Sequence, residues 1–285
     1  MSRIKGANVL VTGGANGIGK LMGESCLLEG AAHLVIWDIN DANLKNTIVE
    51  FSKKGFKNVT PYLVDVSDID DIEKTATKVL LDVGNIDILF NNAGIVAGSK
   101  RFWEHTRNDI EKTMAINSNG VMHVARVFLP DMLKQGHGHV VNIASIAGII
   151  TNVNMAVYVA SKWACIGFSE SLRLELEQEK GEFHVTTVTP SYIDTGMFKG
   201  VSAPLLFPLV KPAEMVKQII DGVKKDKVFV RAPDMVNVVP FLKGVLPTRA
   251  FDFVANILGV TKSMDTFKGR PKEEMLPEKS TKKVK

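Results

Sequence analysis

Val9-Leu10-Val11-Thr12-Gly13-Gly14-Ala15-Asn16-Gly17-Ile18-Gly19 decides how the rest of the chain is read. A short apolar run gives way to a glycine-rich turn, and a helical pattern begins near Gly17. The run is too short for a buried helix and suits a strand covered on both faces. A tight strand-to-helix turn needs residues without a β-carbon. Its backbone N–H groups and the helix N-terminus can then approach a pyrophosphate. Gly13, Asn16, Gly17, Ile18 and Gly19 are therefore candidate phosphate contacts. Glycines alone would also fit an ordinary turn; their place between a first strand and a helix favours a dinucleotide.

The second apolar run ends Val35-Ile36-Trp37-Asp38, with Asp38 19 residues after Gly19. A carboxylate there can accept hydrogen bonds from both adenosine ribose hydroxyls. It repels a 2′-phosphate, and its neighbours Asn16, Ile39 and Asn40 are not basic. NAD(H) rather than NADP(H) is the expected cofactor. The other reading of Asp38 is a helix N-cap. Asp65, at the end of the third run, suits the adenine amino group, with Val66 beside it.

Beyond this start, short apolar runs alternate with amphipathic segments. The runs are Val9–Thr12, Leu34–Trp37, Val59–Val64, Ile86–Phe90, Val140–Ala144, Val185–Thr189 and Val228–Val230. Helical candidates include Asp41–Lys53, Asp68–Val83, and two long ones, Asp109–Lys134 and Met155–Glu179. Strict β/α alternation predicts the α/β class: one doubly wound Rossmann fold on a seven-stranded parallel sheet with right-handed crossovers. The expected organisation is a dinucleotide-binding domain over 1–232, with a lid at about 194–211. An apolar helical extension over 233–268 and a disordered basic tail over 269–285 complete it.

Composition narrows the function classes. The chain has 285 residues, 45% hydrophobic and 23% charged, with a net charge of +4. A sizeable core is expected, and the charge is too small to suggest nucleic acid. No window offers the roughly 18 uncharged apolar residues of a membrane span. Met1–Gly6 leads straight into a strand without the apolar region of a secretory signal, and Cys26 and Cys165 form no framework. A cytoplasmic protein is expected.

Polar and small residues gather where the strands end. Asn91-Asn92-Ala93-Gly94 follows the fourth run, at the crevice where doubly wound sheets bind ligands. Asn142-Ile143-Ala144-Ser145 ends the fifth. Tyr158 comes 13 residues after Ser145, and Lys162 four later, so Tyr158 and Lys162 share one helix face. A Tyr-x-x-x-Lys pair alone would also fit a solvated surface.

Taken together, these motifs resemble the short-chain dehydrogenase/reductase family. Thr12-Gly-x-x-x-Gly-Ile-Gly19, Asn91–Gly94, Asn117, Ser145, Tyr158-x-x-x-Lys162 and Pro190–Thr195 fall in that family's order over about residues 6–200. The resemblance implies that Tyr158 is the general acid/base and that Ser145 orients the substrate oxygen. It implies that Lys162 holds the nicotinamide ribose and lowers the Tyr158 pKa together with the nicotinamide charge. Asn117 would hold a water joining Lys162 to solvent, or simply kink its helix. Asn91, Ala93, Gly94, Pro190, Ile193 and Thr195 would line the cofactor. One departure is Pro190-Ser191, where the family usually has Pro-Gly.

Trp37–Asn40, Gly136–Val140, Pro190–Gly196, Lys227–Arg231 and Phe267-Lys268-Gly269 are similar to the retinol and hydroxysteroid dehydrogenase branch. That implies a hydrophobic alcohol or ketone as substrate. Met197, Phe198, Val201, Leu205, Leu206 and Phe207 would form an apolar lid, or pack a short helix on the core. Met235–Val260 would rest on a membrane or lipid surface, cover the domain, or make an interface. The two long helices offer faces for a homodimer or homotetramer. Two alternatives to the alcohol dehydrogenase stay open: an NADH-dependent ketoreductase of another small carbonyl, and a non-catalytic NAD-binding lipid-surface protein.

Overall fold

A computed structural model describes residues 2–204 and 207–269. The strands are β1 (Asn8–Thr12), β2 (His33–Asp38), β3 (Val59–Leu63), β4 (Ile88–Asn91), β5 (His137–Ile143), β6 (Glu182–Pro190) and β7 (Phe229–Ala232). They form one parallel sheet in the order β3-β2-β1-β4-β5-β6-β7. The helices are α1 (Gly17–Leu28), α2 (Asp41–Lys53), α3 (Ile69–Asp82), α4 (Arg107–Met114), α5 (Val121–Gln135), α6 (Ala156–Leu176), α7 (Pro212–Lys224), α8 (Val239–Val245) and α9 (Thr248–Ile257).

Two-residue periodicity explains why the strands read as continuous apolar runs. Val9 and Val11 of β1 join one core with α1, α2 and α7, whereas Leu10 faces the other with α3, α5 and α6. On β2, Leu34 and Ile36 take the first side, Val35 and Trp37 the second. Both faces are covered, so both alternating sets must be apolar. Strand order reverses between β1 and β4, which opens a crevice at their C-terminal ends.

The expected long helix Asp109–Lys134 is present as one helical run from Arg107 to Gln135, but it is not α-helical throughout. α4 and α5 are joined by a π-helical turn over Ala115–Gly120. Propensity reads straight through such a turn, because it inserts a residue without breaking the helical backbone. The second long helix is shorter than expected, ending at Leu176. Expectations for Leu205, Leu206 and the tail beyond Gly269 fall outside the described residues.

At the opposite end of the sheet, His139 of β5 is almost fully buried. Its Nε2 and Nδ1 lie 2.8 Å from Thr186 Oγ1 and from Ser2 Oγ. Thr186 donates its proton to Lys227 O, 2.6 Å away, so Nε2–H donates to Thr186 and Nδ1 accepts from Ser2. Burial, aided by His184, pushes the imidazole down to about 3. The unfolded chain therefore takes up a proton near pH 6.5 that the fold refuses. Stability contributed by this site is complete above about pH 6.5 and is lost as pH falls toward 3, by about 1.4 kcal/mol per unit. Denaturant titrations should show His139→Gln losing less stability than wild type between pH 6.5 and 4. Equal slopes would refute this origin of acid sensitivity.

Candidate active site

The β1–α1 turn works by close approach. Gly13 and Gly17 have φ of 62° and 55°, the left-handed region that favours glycine. A β-carbon on Gly19 would collide with Gly13 O and Asn92 Nδ2, and one on Gly13 would stand 3.0 Å from Ala93 Cα. This room lets the end of β4 clamp onto the turn. Thr12 Oγ1 accepts from Asn92 N at 3.0 Å and from Ala93 N at 3.1 Å. Asn92 Nδ2 donates to Thr12 O at 2.9 Å and to Gly13 O at 3.1 Å.

A long cleft runs from this turn across the switch point. Its wall takes in Gly13, Asn16, Gly17, Ile18 and Gly19, then Asp38 and Ile39, then Asp65 and Val66. It continues through Ala93, Gly94, Ser145, Tyr158 and Lys162 to Pro190, Ile193 and Thr195. Two expected residues lie behind the wall. Asn91 is buried and donates through Nδ2 to Asn142 Oδ1, 2.9 Å away; its neighbour Asn92 lines the cleft instead. Asn117 is likewise fully buried. Phe267, Lys268 and Gly269 also join the wall, although sequence reading gave them no site role.

Asp38 is held by two backbone donors: Oδ2 accepts from Ala15 N and Oδ1 from Asn40 N, both at 3.0 Å. Asn40, not Asp38, caps α2, accepting from Asn43 N at 2.9 Å. The N-cap reading of Asp38 is thereby replaced by Asn40. A carboxylate has about four acceptor sites and can accept from several donors at once. Around Asp38 the wall consists of Trp37, Ile39, Asn40 and Asn43, none of them basic. A glycine cradle, a carboxylate at the end of β2 and flanking apolar side chains fit an adenine dinucleotide.

Tyr158 and Lys162 stand one turn apart on α6, both buried, with Lys162 Nζ 5.8 Å from the Tyr158 ring centre. Burial raises the Tyr158 pKa above its ordinary 10; a hydrogen bond from Ser145 opposes that rise. Burial also lowers the Lys162 pKa. In the protein alone, then, the effect on Tyr158 runs opposite to the lowering expected from Lys162. The phenol rests neutral, ready to donate a proton. Making it a base needs positive charge placed beside it.

Lys162 Nζ donates to Ile143 O at 2.8 Å. Asn117 sits in the π-helical turn and fixes the neighbouring loop. Its Oδ1 accepts from Ile95 N at 2.8 Å, and its Nδ2 donates to Ile95 O at 2.9 Å and Ser161 Oγ at 3.1 Å. A β-carbon on Gly94 would lie 3.3 Å from Asn117 Oδ1 and 3.6 Å from Lys162 Nζ. Asn117 and Lys162 thus converge beneath Gly94, and the turn that carries Asn117 is a true helix distortion.

A second cavity opens beyond the cleft and shares Ser145, Tyr158 and Phe198 with it. Ser145 and Tyr158 therefore stand where the two spaces meet. Ile146, Ile150, Met155 and Phe207 line the cavity, as do Val260 and Met264 from beyond α9. Its free space, open side included, is about 460 Å³. Phe198 packs edge-on against Tyr158, ring centres 6.3 Å apart, which brings the post-β6 segment over that phenol.

Comparison with known proteins agrees with this geometry. A family model described as short chain dehydrogenase matches residues 7–205. The mouse protein named "Epidermal retinol dehydrogenase 2" is 34% identical over 95% of this chain and 88% of its own length. "Estradiol 17-beta-dehydrogenase 11" of Macaca fascicularis is 35% identical over 86% and 81%. Among solved structures, a Burkholderia phymatum short chain dehydrogenase/reductase in complex with NAD superposes with a TM-score of 0.77 at 24% identity, covering 89% of this chain and 97% of that one. A Burkholderia cenocepacia short chain dehydrogenase in complex with NADP gives 0.75 at 23% identity, covering 90% and 99%. At these identities the two structures speak for the fold alone.

Proposed function

The chain belongs to the short-chain dehydrogenase family, and from that premise we propose that it interconverts a hydrophobic alcohol and its carbonyl with NAD(H). It is an oxidoreductase acting on CH–OH donors. The observation that carries the substrate reading is the shared wall: Ser145 and Tyr158 face the dinucleotide cleft and a mainly apolar cavity at once. Similarity to proteins named for retinol and estradiol supports a lipid alcohol as substrate.

NAD, when bound, would supply the hydride acceptor and, in its oxidised form, a positive charge. The chain's own groups do the rest. Ser145 donates to the substrate oxygen and orients it. Tyr158 takes the hydroxyl proton as hydride leaves carbon, and returns one in the reverse direction. Lys162 holds the ribose and adds charge. The apolar cavity seats the lipid body and excludes water. The same groups serve a ketoreductase working with NADH, so direction follows cofactor and substrate ratios. A panel of retinol, steroids and long-chain alcohols with NAD, read as formation of reduced nicotinamide, tests the reading; no turnover of any of them would overturn it.

A lipid surface is the proposed partner of the C-terminal helices. Their inner face, including Val239, Phe251 and Leu258, packs with Ile146, Ile150 and Phe207 beside the cavity. Their outer face shows Phe241, Val245, Phe253 and Ile257, each at least 63% exposed. Arg249, at the start of α9, has a side chain 98% exposed, and Lys279, Lys282, Lys283 and Lys285 follow in the sequence. Apolar side chains flanked by cations suit an anionic lipid surface. Among the described residues no helix is long and apolar enough to cross a membrane. The full chain should float with phosphatidylserine-containing vesicles, and the Phe241→Glu/Phe253→Glu double variant should stay with the protein fraction. Equal flotation of both would refute the assignment.

A further inference from the structure

Three polar side chains of the cavity wall take no part in the chemistry above: Asn152, Ser191 and Tyr192. Two of them are satisfied within the protein. Asn152 Nδ2 donates to Tyr192 OH at 2.7 Å and to Ser263 Oγ at 2.9 Å. Ser263 Oγ donates to Val260 O at 2.7 Å and lies 2.7 Å from Tyr192 OH, so Tyr192 is the donor to Ser263. Every hydroxyl proton of that cluster is used, and the cluster ties the segment after α9 to the cavity wall.

Ser191 is different. It is only 5% exposed, and its Oγ is buried with no hydrogen-bond partner. Its backbone N–H is already committed to Ala232 O at 2.8 Å. An unpaired buried hydroxyl destabilises a fold, and alanine or glycine would occupy the same place without that cost. Its position is also informative. Pro190 and Ile193 wall the cofactor cleft, whereas Ser191 between them walls the cavity. The β5–β6 register pairs Ile143 with Val188, and just past these strand ends the chain carries Ser145 and Ser191. Ser191 thus lies in the cavity wall directly after Pro190 of the cleft wall, at the side of the cavity next to the cofactor cleft.

We infer that Ser191 is a binding subsite for a second oxygen on the substrate. The oxygen is a hydroxyl or carbonyl within a few bonds of the reacting carbinol, paired by the Ser191 hydroxyl, which can both donate and accept. The fitting class is a lipid alcohol with two neighbouring oxygens, in preference to a hydrocarbon chain with one terminal hydroxyl. This rests on the proposal that the cavity is the alcohol site. It also gives a role to the serine that stands where the sequence pattern leads one to expect glycine.

The test compares decanol with 1,2-decanediol, chain-matched probes that differ by one hydroxyl. Binding is measured by calorimetry to the full chain loaded with NADH, which takes no hydride from an alcohol. Wild type should bind the diol about tenfold more tightly than decanol. Ser191→Ala should lose that preference and leave decanol binding within about twofold, with unchanged or raised thermal stability. Ser191→Thr, which keeps the hydroxyl, should keep the preference. Equal wild-type affinities, failure to bind either probe, or a diol preference that survives Ser191→Ala would overturn the assignment. Since binding is read without turnover, a chain that holds the diol through Ser191 yet transfers no hydride would refute the catalytic reading alone.

Discussion

Tyr158→Phe is expected to lower kcat by about a thousandfold or more, within the range that general acid–base groups contribute. The substitution removes one oxygen. The aromatic ring stays buried on α6 and keeps its edge-on contact with Phe198. The cofactor cradle at Gly13–Gly19 lies on another element and is untouched. NADH affinity, followed by fluorescence titration, should stay within about tenfold, because binding and proton transfer are separate tasks here. Burial holds the phenol neutral, above its ordinary pKa of 10. Carbonyl reduction uses that neutral form and should run well at neutral pH. Alcohol oxidation needs the phenolate, so its rate should rise with pH through the neutral and alkaline range. A Tyr158→Phe enzyme with near wild-type kcat would remove the proposed mechanism.

Wild type should prefer NADH to NADPH by about a hundredfold or more. Asp38 is fixed by Ala15 N and Asn40 N and cannot easily swing away from a 2′-phosphate. Placing like charges together at a binding site costs several kcal/mol, and about 1.4 kcal/mol is a factor of ten in affinity. Pairing Asp38→Ser with Ile39→Arg removes the repulsion and supplies a cation in the same wall, so it should reverse the preference. Asp38→Ser alone should lose the discrimination without gaining NADPH affinity. Competition titrations with the two reduced cofactors measure both effects. A wild-type preference for NADPH would contradict the role given to Asp38.

How much could be read in the sequence depended on whether a signal was local. The β1–α1 turn was legible because glycine, strand end and helix start are contiguous. Tyr158 and Lys162 were legible because four-residue spacing fixes a shared helix face. Adjacent amides were harder: Asn91 and Asn92 differ only in which side of a strand end they take, and that depends on the clamp to Thr12. The π-helical turn that seats Asn117 was legible only as a kink at that one residue, since each of its residues accepts helical backbone. Val260 and Met264 reach the cavity from about a hundred residues beyond Tyr158, and only folding brings them there. His139 carried no signal either, lying inside an apolar strand whose polar partners, Ser2 and Thr186, are far away in sequence.

In the proposed reaction, hydride passes between a lipid carbinol in the apolar cavity and NAD in the cleft, across the Ser145–Tyr158 seam. The most direct measurement of that transfer is isotopic. The purified full chain is given NAD and lipid alcohols deuterated at the carbinol carbon, and the reduced cofactor is weighed by mass spectrometry. One deuterium should be transferred to the nicotinamide in wild type and almost none in Tyr158→Phe. Reduced nicotinamide without deuterium, or deuterium transfer undiminished in Tyr158→Phe, would contradict the proposed reaction.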